Sequence, residues 1–334
     1  MGLSPVSVII PTFNRRHIVP EAIESALGQT MPPAEILVID DGSSDDTRER
    51  LRAYGQRIVY RYQSNAGLSA ARNHGMKIAT QPFIALLDDD DVWHPMKLEL
   101  QMRCLDADGG LGLLGTEQFD WPAPAFEQLS ADLEPRVIPM SWERLAVRTL
   151  IPVSSVVFRR ELVERIGDFD VRLKSSEDRD FFLRAAQVTR LGMIITPLVG
   201  YRDTPGSMCK NPVGREAAMR EILRRLDDAD AWKGRRWLRR KCYSSMLHVC
   251  AAANAQSGNH LGAVSRELAS ICYFPLRYGA DYPRPPFERA RRLSINLLRL
   301  LRLKRSHKEG IARMAGNRPA QIKSQTAGAV AAPQ

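Results

Sequence analysis

Nowhere in this 334-residue chain do 18 apolar residues follow one another, so the sequence predicts no membrane-spanning helix. Cysteine is scarce: Cys104, Cys209, Cys242, Cys250 and Cys272 are scattered, odd in number and without a C-x-x-C pair. That pattern argues against a disulfide framework or a zinc ribbon and predicts reduced, buried thiols. The six histidines show neither H-x-x-x-H nor H-E-x-x-H spacing, which leaves zinc-dependent hydrolysis without support. No G-x-G-x-x-G and no G-x-x-x-x-G-K-[ST] occurs, so dinucleotide binding and P-loop chemistry are disfavoured. The opening MGLSPVSVII has no basic segment before its apolar run and no small-residue cleavage site, and Val6 stands where a myristoylation signal needs Ser or Thr. Together these absences predict a cytoplasmic protein.

What is present is globular in character. Hydrophobic residues make up 44% and charged residues 26%, and the length suits about two domains with a self-sufficient core. The net charge of +10 is unevenly spread. Residues 1–214 hold 24 Lys and Arg against 29 Asp and Glu, a net of −5, whereas residues 215–334 hold 24 against 9, a net of +15. An acidic front and a basic back need separate explanations.

Short apolar runs alternate with helical patterns along the front. Strands are predicted at 6–10, 36–40, 58–62 and 83–88, with helices at 19–29, 45–54 and 69–79 between them. Such alternation predicts an α/β fold: a layered, mostly parallel sheet with helices on both faces. Polar clusters follow the strand ends, at Thr12 and Asn14, at Asp41 to Asp46 and at Asp88 to Asp91, and ligands of open α/β sheets bind at that edge. The prolines at 122, 124, 135 and 139 predict an irregular connection over 120–140. A strand at 153–158, helices at 160–166 and 178–188 and a strand at 193–199 are predicted next, and from about 214 the pattern is helical only. The resulting division is a catalytic domain over 1–214, a basic helical region over 215–310 and a disordered tail over 311–334.

Four clusters carry the chemistry. Asp88-Asp89-Asp90-Asp91 lies behind the apolar strand and before a helix expected to open at Trp93-His94-Pro95. Adjacent carboxylates repel one another, and a hard divalent cation with its phosphate ligands relieves that repulsion, although such a loop also serves as a helix cap. Asp40-Asp41-Gly42-Ser43-Ser44 reads as a turn with two surplus aspartates, one of which could accept the imide N–H of a pyrimidine ring. Pro11-Thr12-Phe13-Asn14-Arg15 and Asn65 to Asn73 close two further strands, and in the second Arg72 places a cation near a helix start. Ser175 to Asp180 opens a helix with Glu177 and Asp178, which are either dipole partners or a base for an acceptor hydroxyl.

In their order and spacing, P-T-F-N-R at 11–15, D-D-G-S-S-D-D-T at 40–47, N-A-G-L-S-A-A-R-N at 65–73, L-L-D-D-D-D-V-W-H-P at 86–95, V-S-S-V-V-F-R-R at 153–160, G-D-F-D at 167–170 and S-E-D-R-D-F-F-L-R at 176–184 resemble family 2 glycosyltransferases of the GT-A fold. The resemblance covers about the first two hundred residues. It implies an inverting transfer of a sugar from a nucleotide-sugar donor, expected to be a UDP-sugar, to a hydroxyl acceptor in a glycan or on a lipid carrier, with Mn²⁺ or Mg²⁺ on the diphosphate. It further implies that Pro11, Thr12, Asn14, Arg15, Asp41 and Arg72 serve the nucleotide-sugar, that Asp88 or Asp89 lies at the ribose, that Asp90 binds the metal and that Asp178 is the base. Many relatives carry Y-R-x-H-x-x-S after the last strand; here Thr204 stands at the histidine position and Asp203 precedes it. A non-catalytic sugar-binding module would ordinarily lack one of Asp41, Asp90 and Asp178, and a sugar-phosphate nucleotidyltransferase would need a Gly-rich basic loop that is missing here.

The basic back half contains Trp232 to Lys241 and a helix over 289–305 in which Leu293, Leu297, Leu300 and Leu301 recur among Arg291, Arg292, Arg299, Arg302, Lys304 and Arg305. A basic amphipathic helix predicts peripheral attachment to the anionic inner face of a membrane, with packing on the catalytic domain as the alternative. No nucleic-acid-binding motif accompanies the charge.

Overall fold

The computed structural model describes residues 2–122, 133–204, 211–276, 278 and 287–316, with side chains as far as Arg302. The elements in chain order are β1 (Ser4–Thr12), α1 (Val19–Leu27), β2 (Pro33–Asp40), α2 (Thr47–Leu51), β3 (Val59–Tyr62), α3 (Leu68–Ile78), β4 (Phe83–Leu86), β5 (Val92–Trp93) and α4 (Lys97–Ala107). They continue with β6 (Leu111–Asp120), β7 (Val137–Pro139), α5 (Trp142–Val147), β8 (Val157–Arg159), α6 (Glu161–Ile166), α7 (Glu177–Ala185) and β9 (Arg190–Tyr201). Four helices close the described chain: α8 (Pro212–Asp228), α9 (Arg236–Gln256), α10 (His260–Tyr273) and α11 (Glu288–Gly316).

The nine strands form one sheet in the order β3-β2-β1-β4-β8-β6-β9-β5, with β7 on β9. β3, β2, β1 and β4 are parallel neighbours, and β6 is parallel to β9, whereas β8, β5 and β7 run antiparallel to the strands they pair with. Six strands therefore point one way, as the alternation predicts. β1 reads Ser-Pro-Val-Ser-Val-Ile-Ile-Pro-Thr and is buried on both faces, the pattern of a strand covered by helices on either side. Val6, Val8 and Ile10 join one core with α1 and α4, and Ile9 joins the other with α3 and α5 to α9. At α3, Gly75 permits close packing: a Cβ there would fall 2.4 Å from Cγ2 of Ile9.

Several local expectations are corrected. The helix foreseen at 45–54 is the short α2 followed by a 3-10 turn, Arg52–Arg57. The strand foreseen at 153–158 divides into a 3-10 turn, Val153–Ser155, and β8. Trp93-His94-Pro95 does not open a helix; Val92 and Trp93 pair with Gly200 and Val199 of β9, and α4 begins at Lys97. β6, a strand in the middle of the sheet, was not anticipated at all. The helical region beyond 214 is present, but α8 and α9 share one continuous core with the sheet, through Met219, Ile222, Leu223, Cys242, Met246 and Cys250. Much of the connection at 120–140, Cys209, the run Pro205 to Ser207 and the tail beyond 316 lie outside the described residues.

Candidate functional site

The loop after β4 is held at four points by four different parts of the chain. Asp88 accepts from the Arg72 guanidinium at 2.6 Å, and its amide donates to the Ser154 hydroxyl at 3.1 Å. Asp89 accepts from the Thr12 hydroxyl at the end of β1, at 2.7 Å. Asp90 accepts from the Thr204 hydroxyl at 2.8 Å and lies 3.8 Å from Arg15. Asp91 accepts from the Arg202 amide just beyond β9, at 3.1 Å. Burial, reinforced by the neighbouring charges, pushes Asp89 up to about 7 and Asp91 up to about 8 despite their hydrogen bonds. Burial and the charge of Asp88 raise Asp90 as well. The cluster is thus short of positive charge.

Beside this loop, Asn14 adopts a left-handed conformation, φ 55°, which asparagine tolerates because its short side chain bonds locally. Its Oδ1 accepts from the Ser44 amide at 2.8 Å, and its own amide donates to the Ser43 hydroxyl at 2.8 Å, tying the loops after β1 and β2 together. Asp41 is buried and accepts from Gln63 at 2.7 Å and from the amides of Ala66 and Gly67 at 2.9 and 2.8 Å. Both of its oxygens therefore shape the 63–67 loop. Gly42, at φ 87°, fits under that loop where a Cβ would fall 2.7 Å from the Asn65 nitrogen.

Arg72 is placed differently from the sequence expectation. It is 1% exposed, and it bridges Asp88 to Glu177, 2.7 Å away, instead of facing the cleft. The Phe169 ring lies 5.5 Å beneath it, and Asn73 exchanges two hydrogen bonds with the Phe169 backbone, each 2.9 Å. The R-N pair of α3 thus ties the G-D-F-D segment and the start of α7 to the aspartate loop. Ser176, in the left-handed region at φ 58°, turns the chain into α7, strain of the kind concentrated at functional sites. Two residues on, Asp178 is half-buried, accepts from the Arg179 amide at 2.7 Å, and is pushed up to about 6 by burial and by the charge of Glu177.

The site thus combines two acidic clusters, a raised half-buried carboxylate and a strand-end loop, joined by one arginine. A sequence profile described as glycosyl transferase family 2 matches residues 7–117. The Bacillus subtilis glycosyltransferase EpsJ, described as uncharacterized, is 30% identical over 231 residues, 66% of this chain and 67% of EpsJ. The chain belongs to glycosyl transferase family 2. An uncharacterized glycosyltransferase of Rickettsia prowazekii is 32% identical over 196 residues, 56% of this chain, and the match spans 60% of that relative's length. Among solved structures, S. aureus TarS 1-349 in complex with UDP-GlcNAc superimposes with a TM-score of 0.60 at 21% identity, covering 91% of this chain and 92% of that one. The mannosyltransferase PcManGT from Pyrobaculum calidifontis, in complex with GDP-Man and Mn²⁺, gives 0.51 at 18% identity, covering 82% of each chain. These likenesses establish the GT-A fold.

In this family 2 glycosyltransferase, Thr12, Arg15, Asp88, Asp89 and Asp90 lie together, Asn14 ties the loops beside them, and Asp41 and Arg72 bond inside the protein frame. Ser154, Arg202, Gln63 and Tyr60 were not singled out. Ser154 lay within the V-S-S run, but only the tertiary fold brings it under Asp88. Tyr60 donates to Asp40 at 2.6 Å. Among the described residues no three His, Cys, Asp or Glu side chains form a metal cage. The donor set nevertheless fits Mn²⁺ or Mg²⁺: hard carboxylate oxygens, short of positive charge, leave most of the coordination to substrate phosphates and water. A cavity of about 530 Å³ lined by Arg159, Arg165 and Arg190 opens at the other end of β4, away from these carboxylates.

Proposed function

We propose that this family 2 glycosyltransferase moves a sugar from a nucleoside diphosphate sugar, with UDP as the nucleotide, to a hydroxyl acceptor with inversion at the anomeric carbon. The observation that carries the reading is the Arg72 bridge, with Asp88 on one side at 2.6 Å and Glu177, next to Asp178, on the other at 2.7 Å. Inversion needs one base on the acceptor side and stabilised charge on the departing diphosphate, and this bridge ties the two parts together. Asp178 takes the proton of the acceptor hydroxyl. Thr12 and Arg15 orient Asp89 and Asp90, Asp88 or Asp89 meets the ribose, and Asp41 holds the loop beneath the base. Asp90 would hold a divalent cation, which would supply charge neutralisation for the diphosphate. Thr204 stands where many relatives have histidine; its hydroxyl orients Asp90 instead. The acceptor we infer is a glycan or lipid-linked sugar on the cytoplasmic side.

Nucleoside diphosphate release across a panel of UDP-, GDP- and dTDP-sugars with Mn²⁺ tests the donor. UDP release that needs Mn²⁺, and calorimetric UDP binding that loses its Mn²⁺ dependence in Asp90→Ala, are the expected results. Equal UDP affinity with and without Mn²⁺ in the unmodified protein overturns the metal assignment, and retention of anomeric configuration in the product overturns the mechanism.

A further inference from the structure

The basic back half does not present its apolar residues evenly. Trp237 at the start of α9, Leu276 just beyond α10 and Phe287 just before α11 are 65%, 62% and 82% exposed. Contacts bring Trp237 and Leu276 to one corner, and Phe287 stands two residues before Arg289, which binds there. Trp237 packs edge-on against Phe274, with ring centroids 6.1 Å apart. Arg240 lies 5.9 Å from the Trp237 ring and donates to the Tyr273 carbonyl at 2.8 Å. Arg289 of α11 donates to the carbonyls of Phe274 and Leu276, each at 2.6 Å, and so pins the start of α11 against the end of α10. Among the described residues neither Arg240 nor Arg289 is paired with a carboxylate. Arg236 and Lys241 add two more cations along the first turns of α9. Glu288, beside Phe287, is taken up by Arg292 at 2.6 Å.

We propose that this corner is a docking surface for an anionic lipid bilayer. Exposed Trp and Phe set among uncompensated Arg and Lys complement an anionic headgroup region, where aromatic rings enter the acyl boundary and cations meet the phosphates. The corner also relocates the attachment foreseen along the basic helix over 289–305. That helix turns Leu293 and Leu300 partly inward and anchors itself through buried Asn296, which bonds His260 at 3.0 Å. Attachment through the corner requires no turnover and stands apart from the transferase reading.

Flotation of the full chain with vesicles of phosphatidylglycerol and phosphatidylcholine, against phosphatidylcholine alone, tests it. Salt-sensitive recovery on the anionic vesicles is expected. Trp237→Ser combined with Phe287→Ser should cut partitioning roughly tenfold or more, and Arg236→Glu or Lys241→Glu about fivefold or more each. Leu298→Ser with Leu301→Ser, on α11, should cut it less than the corner pair. An unchanged thermal midpoint in every variant keeps the result independent of folding. Equal recovery on both vesicles, no recovery on either, or loss confined to the α11 variant overturns the proposal. So does concentration-dependent self-association abolished by Trp237→Ser, which would assign the corner to a second copy of the chain.

Discussion

Carboxylates around the cleft and in the back of this molecule meet opposite fates. Around the cleft, burial and crowding push Asp89 up to about 7, Asp91 up to about 8 and Asp178 up to about 6. In the back, hydrogen bonds from Arg224 hold the exposed Glu221 down at about 2, and bonds from Arg239, Tyr243 and Trp232 hold Asp227 at about 2 against a partial burial. The back pairs its acids with arginines from the same or the next helix, such as Arg220 with Glu216 and Arg225 with Glu221, both at 2.8 Å. The cleft gathers acids at one strand-end loop and one helix start and leaves them under-neutralised. A carboxylate satisfied by its own protein is structural, whereas one held in place and left short of charge is ready for a cation or a proton.

Arg72 is the buried cation set among the cleft's acids, and removing it breaks the contrast most sharply. Arg72→Met leaves Glu177 buried without its partner and should cost about 3–5 kcal/mol of unfolding free energy, read by urea titration. Arg224→Met, an exposed counterpart in the back, should leave the urea midpoint where it was. Equal effects from the two would erase the distinction.

Asp178→Asn comes next. It should lower transfer by about 10²-fold or more while calorimetric donor affinity stays within about twofold. Because the base must be charged to accept a proton, transfer by the unmodified enzyme should fall as pH drops through about 6 and level off above it. An acid limb near the ordinary carboxylate value of about 4 would move the base elsewhere.

The smallest effect belongs to the back. Asp227→Asn should lose about 1–2 kcal/mol at neutral pH, allowing for solvent around the pair. The folded value of Asp227 is depressed, so its contribution is present above the unfolded value of 3.8 and disappears as pH falls toward about 2. Denaturant midpoints at neutral pH and near pH 2 should therefore differ between the two proteins only at the higher pH.

Apart from the helix at 45–54, the strands and helices up to Asp88 were legible because their periods are local and their core faces regular. β6 was not, since Leu-Gly-Leu-Leu-Gly-Thr-Glu-Gln-Phe-Asp owes its glycines to distant neighbours. A Cβ on Gly112 would fall 2.3 Å from the Thr189 hydroxyl oxygen, and one on Gly115 would fall 2.3 Å from Cγ2 of Ile151. The opening of α4 was obscured in the same way: Lys97 and Gln101 look like surface residues but are fully buried, joined at 2.7 Å beside the Trp93 ring. For the site, residue type and strand-end position were enough to find the aspartates. They could not say that Arg72 points inward to Glu177, because that depends on how α3 and α7 approach each other across 105 residues.

Phe181 and Phe182, on the turn after Asp178, share their core with Met219, Ile222 and Leu223 of α8 and with Met246 and Cys250 of α9. Diversification of such enzymes is therefore constrained in where new sequence can be grafted. A gene fusion joined directly after β9 would strip the lining from the helix that carries Asp178, and its replacement would have to supply a matching apolar surface at once. A junction beyond Gln256 leaves that lining intact but uncovers the opposite face of α9, where His248 bonds Glu267 and Ser244 bonds Ser270 of α10, so a replacement for α10 would have to match those buried polar groups.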